Sequence, residues 1–116
     1  MIAFTNRFHG HGSLRYVYQN GQAIRSRLIT VKTIKNPHRK NSRIAVVVSK
    51  KVLKSAVGRN RIRRRVYEYI RTQIPNFDGV FDIVIIITSS ELLTITYNEI
   101  ILQLSQVLNQ AGIVKK

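Results

Sequence analysis

The 116-residue chain contains no cysteine, no tryptophan and only five acidic side chains. The absence of cysteine excludes disulfides and thiolate metal sites, so the fold must depend on packing of its apolar residues, 44% of the chain. No apolar run is longer than Ile83 to Ile87, which is far shorter than the roughly 20 residues that cross a bilayer. The N-terminus also lacks a charged-then-apolar leader. We therefore expect one soluble, cytoplasmic domain over residues 1–116, with no membrane partner.

The scarce acids are also scattered, which argues against a nuclease centre built by the protein. They are Glu68, Asp78, Asp82, Glu91 and Glu99. Protein phosphodiesterases commonly hold divalent ions with clustered carboxylates or use paired histidines. Here no D-x-D or E-x-x-H pair occurs, and an ion pair with neighbouring arginines explains Glu68. His9-Gly10-His11 remains, but two histidines near a terminus are more often solvated than ligands. We predict no catalytic and no metal-binding residue.

Positive charge is abundant and unevenly distributed along the chain. Residues 1–71 hold 18 basic and one acidic side chain, whereas residues 72–114 hold no Lys or Arg. Lys50 to Arg65 carries eight Lys or Arg and no acid. Solvated surfaces usually mix both signs of charge, and the planar guanidinium of arginine matches phosphate. The segment therefore predicts a nucleic-acid partner that neutralises it.

The pattern of apolar and turn residues predicts an α+β layer. The predicted elements around the basic segment are a helix capped by Ser13 and ended by Gly21, a strand over 25–35 that could be split in two, a strand over 44–48, a strand over 82–88, and a helix that begins with the capping box 96–99 and ends before Gly112. The strands over 25–35 and 44–48 are expected to pair as a hairpin. The strand over 82–88 is apolar throughout, so it should be central and covered on both faces.

The basic segment itself predicts a helix from about Ala56 to Arg71, capped by Ser55. A buried stripe is expected from the apolar residues that recur at helical spacing, Ile62, Val66, Tyr69 and Ile70. At about 100° per residue, the opposite, outward face holds Asn60, Arg64, Tyr67 and Arg71. This helix should present its charge to solvent.

Three segments resemble one known family. Ser49-Lys50-Lys51, followed by Arg59-Asn60-Arg61-Ile62-Arg63-Arg64, resembles the RNR signature of the bacterial ribonuclease P protein subunit. Leu14 to Gly21 is similar to the first helix of that family, and Asp82 to Ile87 is similar to its central strand. The order and spacing agree over nearly the whole chain.

The resemblance implies a single-domain, two-layer sandwich of the ribosomal protein S5 domain 2-like class, with a left-handed βαβ crossover around the arginine helix. Such a crossover departs from the general right-handed rule. It also implies a function as the protein subunit of ribonuclease P, an endoribonuclease that removes the 5′ leader of precursor tRNA. The implied partners are the catalytic RNA and precursor tRNA, and Mg²⁺ would be bound mainly by RNA.

The resemblance also assigns two surfaces. The residues implied to bind the catalytic RNA are Lys50, Lys51, Arg59, Asn60, Arg61, Arg63 and Arg64. The residues implied to form the cleft for the single-stranded leader are Leu14, Val17, Tyr18 and Lys32. Aromatic residues are common in the family where Leu14 and Lys32 stand here, so leader stacking would rest on Tyr18. Helix-to-sheet packing is the alternative role for Tyr18.

Two other classes of protein share some of these features. A structural RNA-binding protein, such as a ribosomal protein, also combines a basic helix with a sheet. A DNA-binding regulator would need a helix shortly before its recognition helix. Because the apolar strand Ile44 to Val48 precedes Ser55 instead, we rank the DNA-binding class last and expect no DNA partner.

Overall fold

The computed structural model describes residues 4–115, and these contain three α-helices and four β-strands. The helices are α1 (His11–Asn20), α2 (Ala56–Gln73) and α3 (Tyr97–Gln110). The strands are β1 (Gln22–Arg25), β2 (Ile29–Lys35), β3 (Arg43–Val48) and β4 (Phe81–Ile87). Short 3-10 turns occupy Phe4–Asn6, Ile74–Asn76 and Ser90–Leu93. The α+β class predicted from the sequence is confirmed.

The strands form one sheet in the order β1-β2-β4-β3. β1 and β2 are an antiparallel hairpin, but β1 lies almost wholly before the predicted strand region over 25–35, which it reaches only at Arg25. The predicted hairpin between β2 and β3 is wrong, because β4 lies between them and pairs with both. The reason is burial: β4 is apolar along almost its whole length, and the central position shields both of its faces and both of its edges.

β3 and β4 are parallel neighbours, and α2 connects them. This βαβ unit is the one that the family resemblance implies around the arginine helix. Its left-handed crossover stays a prediction. The topology places the N-terminus of α2 beyond the end of β3, at the end of the sheet where β4 also finishes.

The main core lies between one face of the sheet and helices α2 and α3. Strand alternation directs Ile83, Ile85 and Ile87 of β4 to this face, and all three are buried. From α2, the buried contributors are Ile62, Val66 and Ile70, and α3 adds Ile100, Leu104, Val107 and Leu108. Each fully buried Ile or Leu contributes about 1.5–3 kcal/mol. Tyr69, predicted for the same stripe, is only partly buried.

Two of the three predicted N-terminal helix caps are confirmed and one is wrong. The hydroxyl of Ser55 accepts a hydrogen bond from the Gly58 N–H at 3.0 Å, and Thr96 accepts from the Glu99 N–H at 3.2 Å. Ser13 is not a cap, because α1 already begins at His11, after Gly10 with φ of 91°. A positive φ costs glycine least, so the backbone conformation of Gly10 sets this helix start.

Candidate nucleic-acid interface

The loop before α2 is held in place by its own backbone. The N–H groups of Val52 and Leu53 both donate to the Ser49 carbonyl, at 3.1 and 3.2 Å. Leu53 then packs so closely on Gly58 that a Cβ there would lie 2.6 Å from the Leu53 Cδ2. Lys50 and Lys51 are exposed on this ordered turn. The two lysines therefore lie at the same end of the molecule as the first turns of α2.

The basic residues of α2 differ in what they contact. Arg59 donates to the carbonyls of Leu53 at 3.0 Å and Lys54 at 2.7 Å, so its guanidinium ties the loop to the helix. Arg63 donates to the Asn60 Oδ1 at 2.6 Å. This bond fixes the Asn60 amide and leaves its NH₂ group as a donor. Arg59, Asn60 and Arg63 are thus preorganised side chains.

Arg61 and Arg64 are exposed and, within residues 4–115, form no ion pair or hydrogen bond. The apolar stripe of α2 is buried on the opposite side, at Ile62 and Val66. Two permanent charges are therefore presented to solvent without a compensating acid. A polyanion is the ligand that this arrangement favours.

Arg65 belongs to the same run of arginines but has a structural role. Its guanidinium donates to the Leu92 carbonyl at 2.6 Å and to the Ile95 carbonyl. Burial, and then the positive charge of Arg61, lowers the pKa of Arg65. The side chain fastens α2 to the segment that leads into α3. The sequence gives no sign of this role, because nothing local distinguishes Arg65 from Arg64.

Tyr67 was predicted to face outward, and that prediction is wrong. Its hydroxyl accepts a hydrogen bond from the Val46 N–H at 3.1 Å, and its ring packs partly against the core. β3 is an edge strand, so this bond satisfies a backbone donor that no neighbouring strand could reach. Asn60 and Arg64 lie seven and three positions before Tyr67, on the same side of α2. The side of α2 that carries Asn60 and Arg64 therefore borders the outer edge of β3 at Tyr67.

Across β2, β4 and β3, the second face of the sheet carries three rows of side chains, and Ala23 and Arg25 of β1 adjoin the middle and upper rows. The upper row is Thr30, Ile86 and Val47, the middle row is Lys32, Val84 and Ala45, and the lower row is Ile34, Asp82 and Arg43. α1 packs on β2 and β4 and covers only part of this face. All three residues of the upper row are partly exposed. An open, partly apolar surface thus lies next to β3, whose outer edge borders the side of α2 that carries Asn60 and Arg64.

The four residues predicted for the leader cleft occupy different positions around α1. Leu14 lines a groove with Phe8, Ala45 and Tyr67, whereas Val17 is fully buried and faces no open surface. At the other end of the helix, the Lys32 ammonium donates to the Tyr18 carbonyl at 2.9 Å. The same ammonium lies 5.3 Å from the centre of the Tyr18 ring. Partial burial raises the pKa of Tyr18.

Sequence reasoning missed a buried ion pair at the lower row. Arg43 donates to both carboxylate oxygens of Asp82, at 2.8 and 2.6 Å, and Asn36 donates to the same carboxylate at 2.9 Å. Burial alone would raise the pKa of Asp82. The hydrogen bonds from Arg43 and Asn36, with the charges of Arg43 and Arg39, outweigh it, and the pKa is lowered. The sequence does contain a sign of this ion pair, because a basic and an acidic residue occur near the starts of β3 and β4.

Among residues 4–115, no group of three or more His, Asp or Glu side chains could hold a metal ion. The side chain of His11, one of the two histidines considered as ligands, lies outside the described part. Glu68 pairs with Arg71 at 2.7 Å, as expected. In the same part of the chain, none of the helices combines the length and the apolar character needed to cross a membrane.

Comparison with known proteins gives one consistent result. The family model described as Ribonuclease P matches residues 3–112. The ribonuclease P protein component of Synechocystis is 32% identical over 98 residues, which cover 84% of this chain and 78% of that protein. The component of Prochlorococcus marinus strain MIT 9312 is 35% identical over 84 residues. That match covers 63% of this chain and 66% of the relative, just under two thirds of its length.

Solved structures agree with the sequence matches. The RNase P protein of Staphylococcus aureus superposes with a TM-score of 0.83 at 25% identity, covering 95% of this chain and 98% of that one. The RNase P protein of Thermotoga maritima gives a TM-score of 0.77 at 24% identity, covering 95% of this chain and 98% of that one. The second likeness concerns the fold alone.

Proposed function

The chain belongs to the bacterial ribonuclease P protein family, and we propose that it acts as the protein subunit of that ribonucleoprotein endoribonuclease, in 5′ maturation of tRNA. In this role it holds the catalytic RNA and the precursor in register while the RNA carries the active site. Holding reactants in register is a substantial part of catalysis by itself. The working compartment we propose is the cytoplasm.

The catalytic RNA is assigned to the α2 end of the molecule. The observation that carries this assignment is the one-sided exposure of Arg61 and Arg64 above a buried apolar stripe. Lys50, Lys51, Arg59, Asn60 and Arg63 complete the surface. Arginines bind phosphates in this arrangement, and the fixed Asn60 amide suits a base edge or a 2′-hydroxyl.

The single-stranded leader is assigned to the upper row and the adjoining side of α1. Thr30, Ile86 and Val47 offer a partly apolar floor, and next to it Leu14 and Tyr18 of α1 adjoin Ala45 and Lys32 of the middle row. Unpaired bases stack on such surfaces with little dependence on sequence, as a general processing enzyme requires. Because Val17 is fully buried, we assign it to packing between helix and sheet rather than to RNA contact.

Mg²⁺ is assigned to the RNA. The described residues do not offer an oxygen-rich ligand cluster of the kind that hard cations require. No step of the reaction is therefore assigned to a metal on this chain. The chain's own contribution is to bind phosphates and orient the substrate.

The test is reconstitution of the full chain with the catalytic RNA and assay of leader removal from precursor tRNA. Arg61→Ala with Arg64→Ala should reduce affinity for the catalytic RNA and lower the salt slope of binding by about 2. A matched control variant, Arg27→Ala with Lys115→Ala, removes the same charge from sites outside the proposed interfaces. It should leave the affinity for the catalytic RNA and the salt slope unchanged.

Two outcomes would contradict the proposal. One is full-rate cleavage of precursor tRNA by the purified chain free of RNA. The other is recovery of the chain from lysate with ribosomal subunits and without a structured RNA active on precursor tRNA, which would favour a ribosomal role instead.

A further inference from the structure

A second basic surface lies at the other end of the sheet from the N-terminus of α2. It is a groove between the N-terminal segment and the loop that joins β2 to β3. Its lining includes the cationic side chains Arg7, Arg39 and Lys40, together with His9, His38 and the Asp82-paired Arg43. Since β3 has six residues, about 20 Å of strand separates this groove from the loop before α2.

The groove is built from anchored segments. Asn36 donates its backbone N–H to the Val80 carbonyl at 2.8 Å, and Arg39 donates back to the Asn36 carbonyl at 3.3 Å, closing a turn around Pro37. On the facing side, the Asn6 amide donates to the Ser42 carbonyl at 2.8 Å. The loop therefore presents Arg39 from a fixed backbone.

The floor of the groove does not repel anions. Asp82 is the acid nearest to it, and its carboxylate is fully engaged by Arg43 and Asn36. Arg39 and Lys40 are exposed and, in the described part of the chain, form no ion pair. Their charges thus remain available to an external phosphate.

An exposed aromatic side chain adjoins these charges. Tyr16 is 56% exposed and lines a neighbouring groove that shares Asn36, His38 and Arg43 with the basic one. At about 100° per residue, Tyr16 lies roughly opposite Leu14 and Tyr18 on α1. It therefore points away from the surface assigned to the leader.

We propose that these two adjoining grooves, here called together the lower groove and joined at His38, bind an unpaired RNA nucleotide, with the base stacked on Tyr16 and the flanking phosphates on Arg39 and Lys40. An aromatic platform beside a positive groove is the usual design for binding single strands. The inference rests on the proposed function in so far as the chain works on RNA. It adds a contact that neither the α2 surface nor the leader cleft supplies.

The first test uses the full chain and a fluorescent ten-nucleotide RNA of mixed sequence that carries 4-thiouridine. Arg39→Gln with Lys40→Gln should lower the magnitude of the salt slope by about 1.4, since each phosphate contact on a single strand contributes about 0.7. The control, Arg27→Gln with Lys115→Gln, removes two charges elsewhere and should leave the slope unchanged. An unaltered slope in the groove variant, or an equal fall in the control, would overturn the proposal.

The second test examines the stacking residue. Photo-crosslinking should place the oligonucleotide on Tyr16, Tyr16→Ala should weaken binding about 5- to 150-fold, and Tyr16→Phe should restore it. Tyr16 is exposed, so circular dichroism should show both variants folded. A crosslink confined to α2 or Tyr18, with normal affinity of Tyr16→Ala, would contradict the assignment.

The source of the nucleotide follows from titrating the same variants with natural partners. A loss of affinity for the catalytic RNA alone places the nucleotide there, whereas a loss seen only with precursor tRNA and the assembled enzyme places it in the substrate. A loss with neither overturns the proposal. Arg61→Ala with Arg64→Ala is measured in parallel, because its effect reports on the proposed function independently of the lower groove.

Discussion

Arg43 and Asp82 form a bidentate ion pair across neighbouring parallel strands, and both side chains are almost completely buried, with 7% and 5% exposure. Asn36 adds a third hydrogen bond, and the Phe8 ring lies 4.8 Å from the guanidinium carbon of Arg43. Taking two charges out of water is costly unless each is satisfied by its partner. This pair therefore makes the lower row highly sensitive to single substitutions.

Asp82→Ala should destabilise the fold by about 3–5 kcal/mol, because it leaves the buried Arg43 without a counter-charge. The double substitution Arg43→Met with Asp82→Leu removes both charges and should recover most of that loss. Urea denaturation followed by circular dichroism measures both free energies of unfolding. A double variant as unstable as Asp82→Ala would contradict this explanation. It would show that the loss comes from removing the ion pair and not from leaving Arg43 buried without a counter-charge.

The same pair predicts an acid-dependent loss of stability. Since the pKa of Asp82 is lowered in the fold, the stabilisation is fully present above the unfolded-state pKa of about 3.9 and is lost as pH falls through the folded-state pKa. As the pH falls from about 7 to below about 3.9, the free energy of unfolding of the wild type should therefore approach that of the Asp82→Ala variant, with both curves measured by urea denaturation at each pH. Parallel curves across that range would contradict the coupling.

Adjacent arginines on α2 should behave oppositely. Arg65→Ala removes the hydrogen bonds to the Leu92 and Ile95 carbonyls and should cost about 1.5–3 kcal/mol of unfolding free energy. Arg64→Ala should leave the thermal melt nearly unchanged while weakening RNA binding. Thermal denaturation and RNA titration of the two variants give this comparison directly. An equally large fall in melting temperature for both variants would show that Arg64 also stabilises the fold.

Tyr67→Phe should destabilise the protein by about 1 kcal/mol, because the Val46 N–H at the edge of β3 loses its acceptor. The ring and its packing are retained, so the variant isolates the hydroxyl. Faster hydrogen exchange at Val46, measured by NMR, is the specific readout. An unchanged exchange rate at Val46 would contradict this prediction, because it would show that the amide is protected equally well without the tyrosine hydroxyl.

Binding to the catalytic RNA should be strongly salt-dependent. If about six phosphates are engaged, affinity should fall by roughly 10³-fold or more between 50 and 200 mM salt. Filter binding at several salt concentrations measures the slope. A flat response would exclude the phosphate contacts assigned to α2.

The parts of the fold that the sequence predicted are those set by local signals. Ser55 and Thr96 cap their helices, and the apolar spacing of Ile62, Val66 and Ile70 identified the buried side of α2. The predictions that were wrong concern contacts between residues far apart in the sequence. The pairing of β4 between β2 and β3 and the inward turn of Tyr67 both follow from tertiary packing, which has no local pattern.

The candidate site divides in the same way. Charge density located the α2 surface, but it could not separate Arg61 and Arg64, which face solvent, from Arg59 and Arg65, which bind backbone carbonyls. The family resemblance supplied Val17 as a cleft residue, whereas its complete burial assigns it to packing. Exposure and hydrogen bonding can be read only from the fold.

Because residues 72–114 contain no Lys or Arg, α3 itself carries no cationic side chain. A polyanion approaching in solution would encounter an asymmetric electrostatic field. The protein would rotate so that its basic side faces the polyanion and α3 faces away from it. Collisions would therefore begin in roughly the docked orientation. In the assembled particle, α3 would form the solvent-facing exterior, where a fused label or affinity tag should be tolerated.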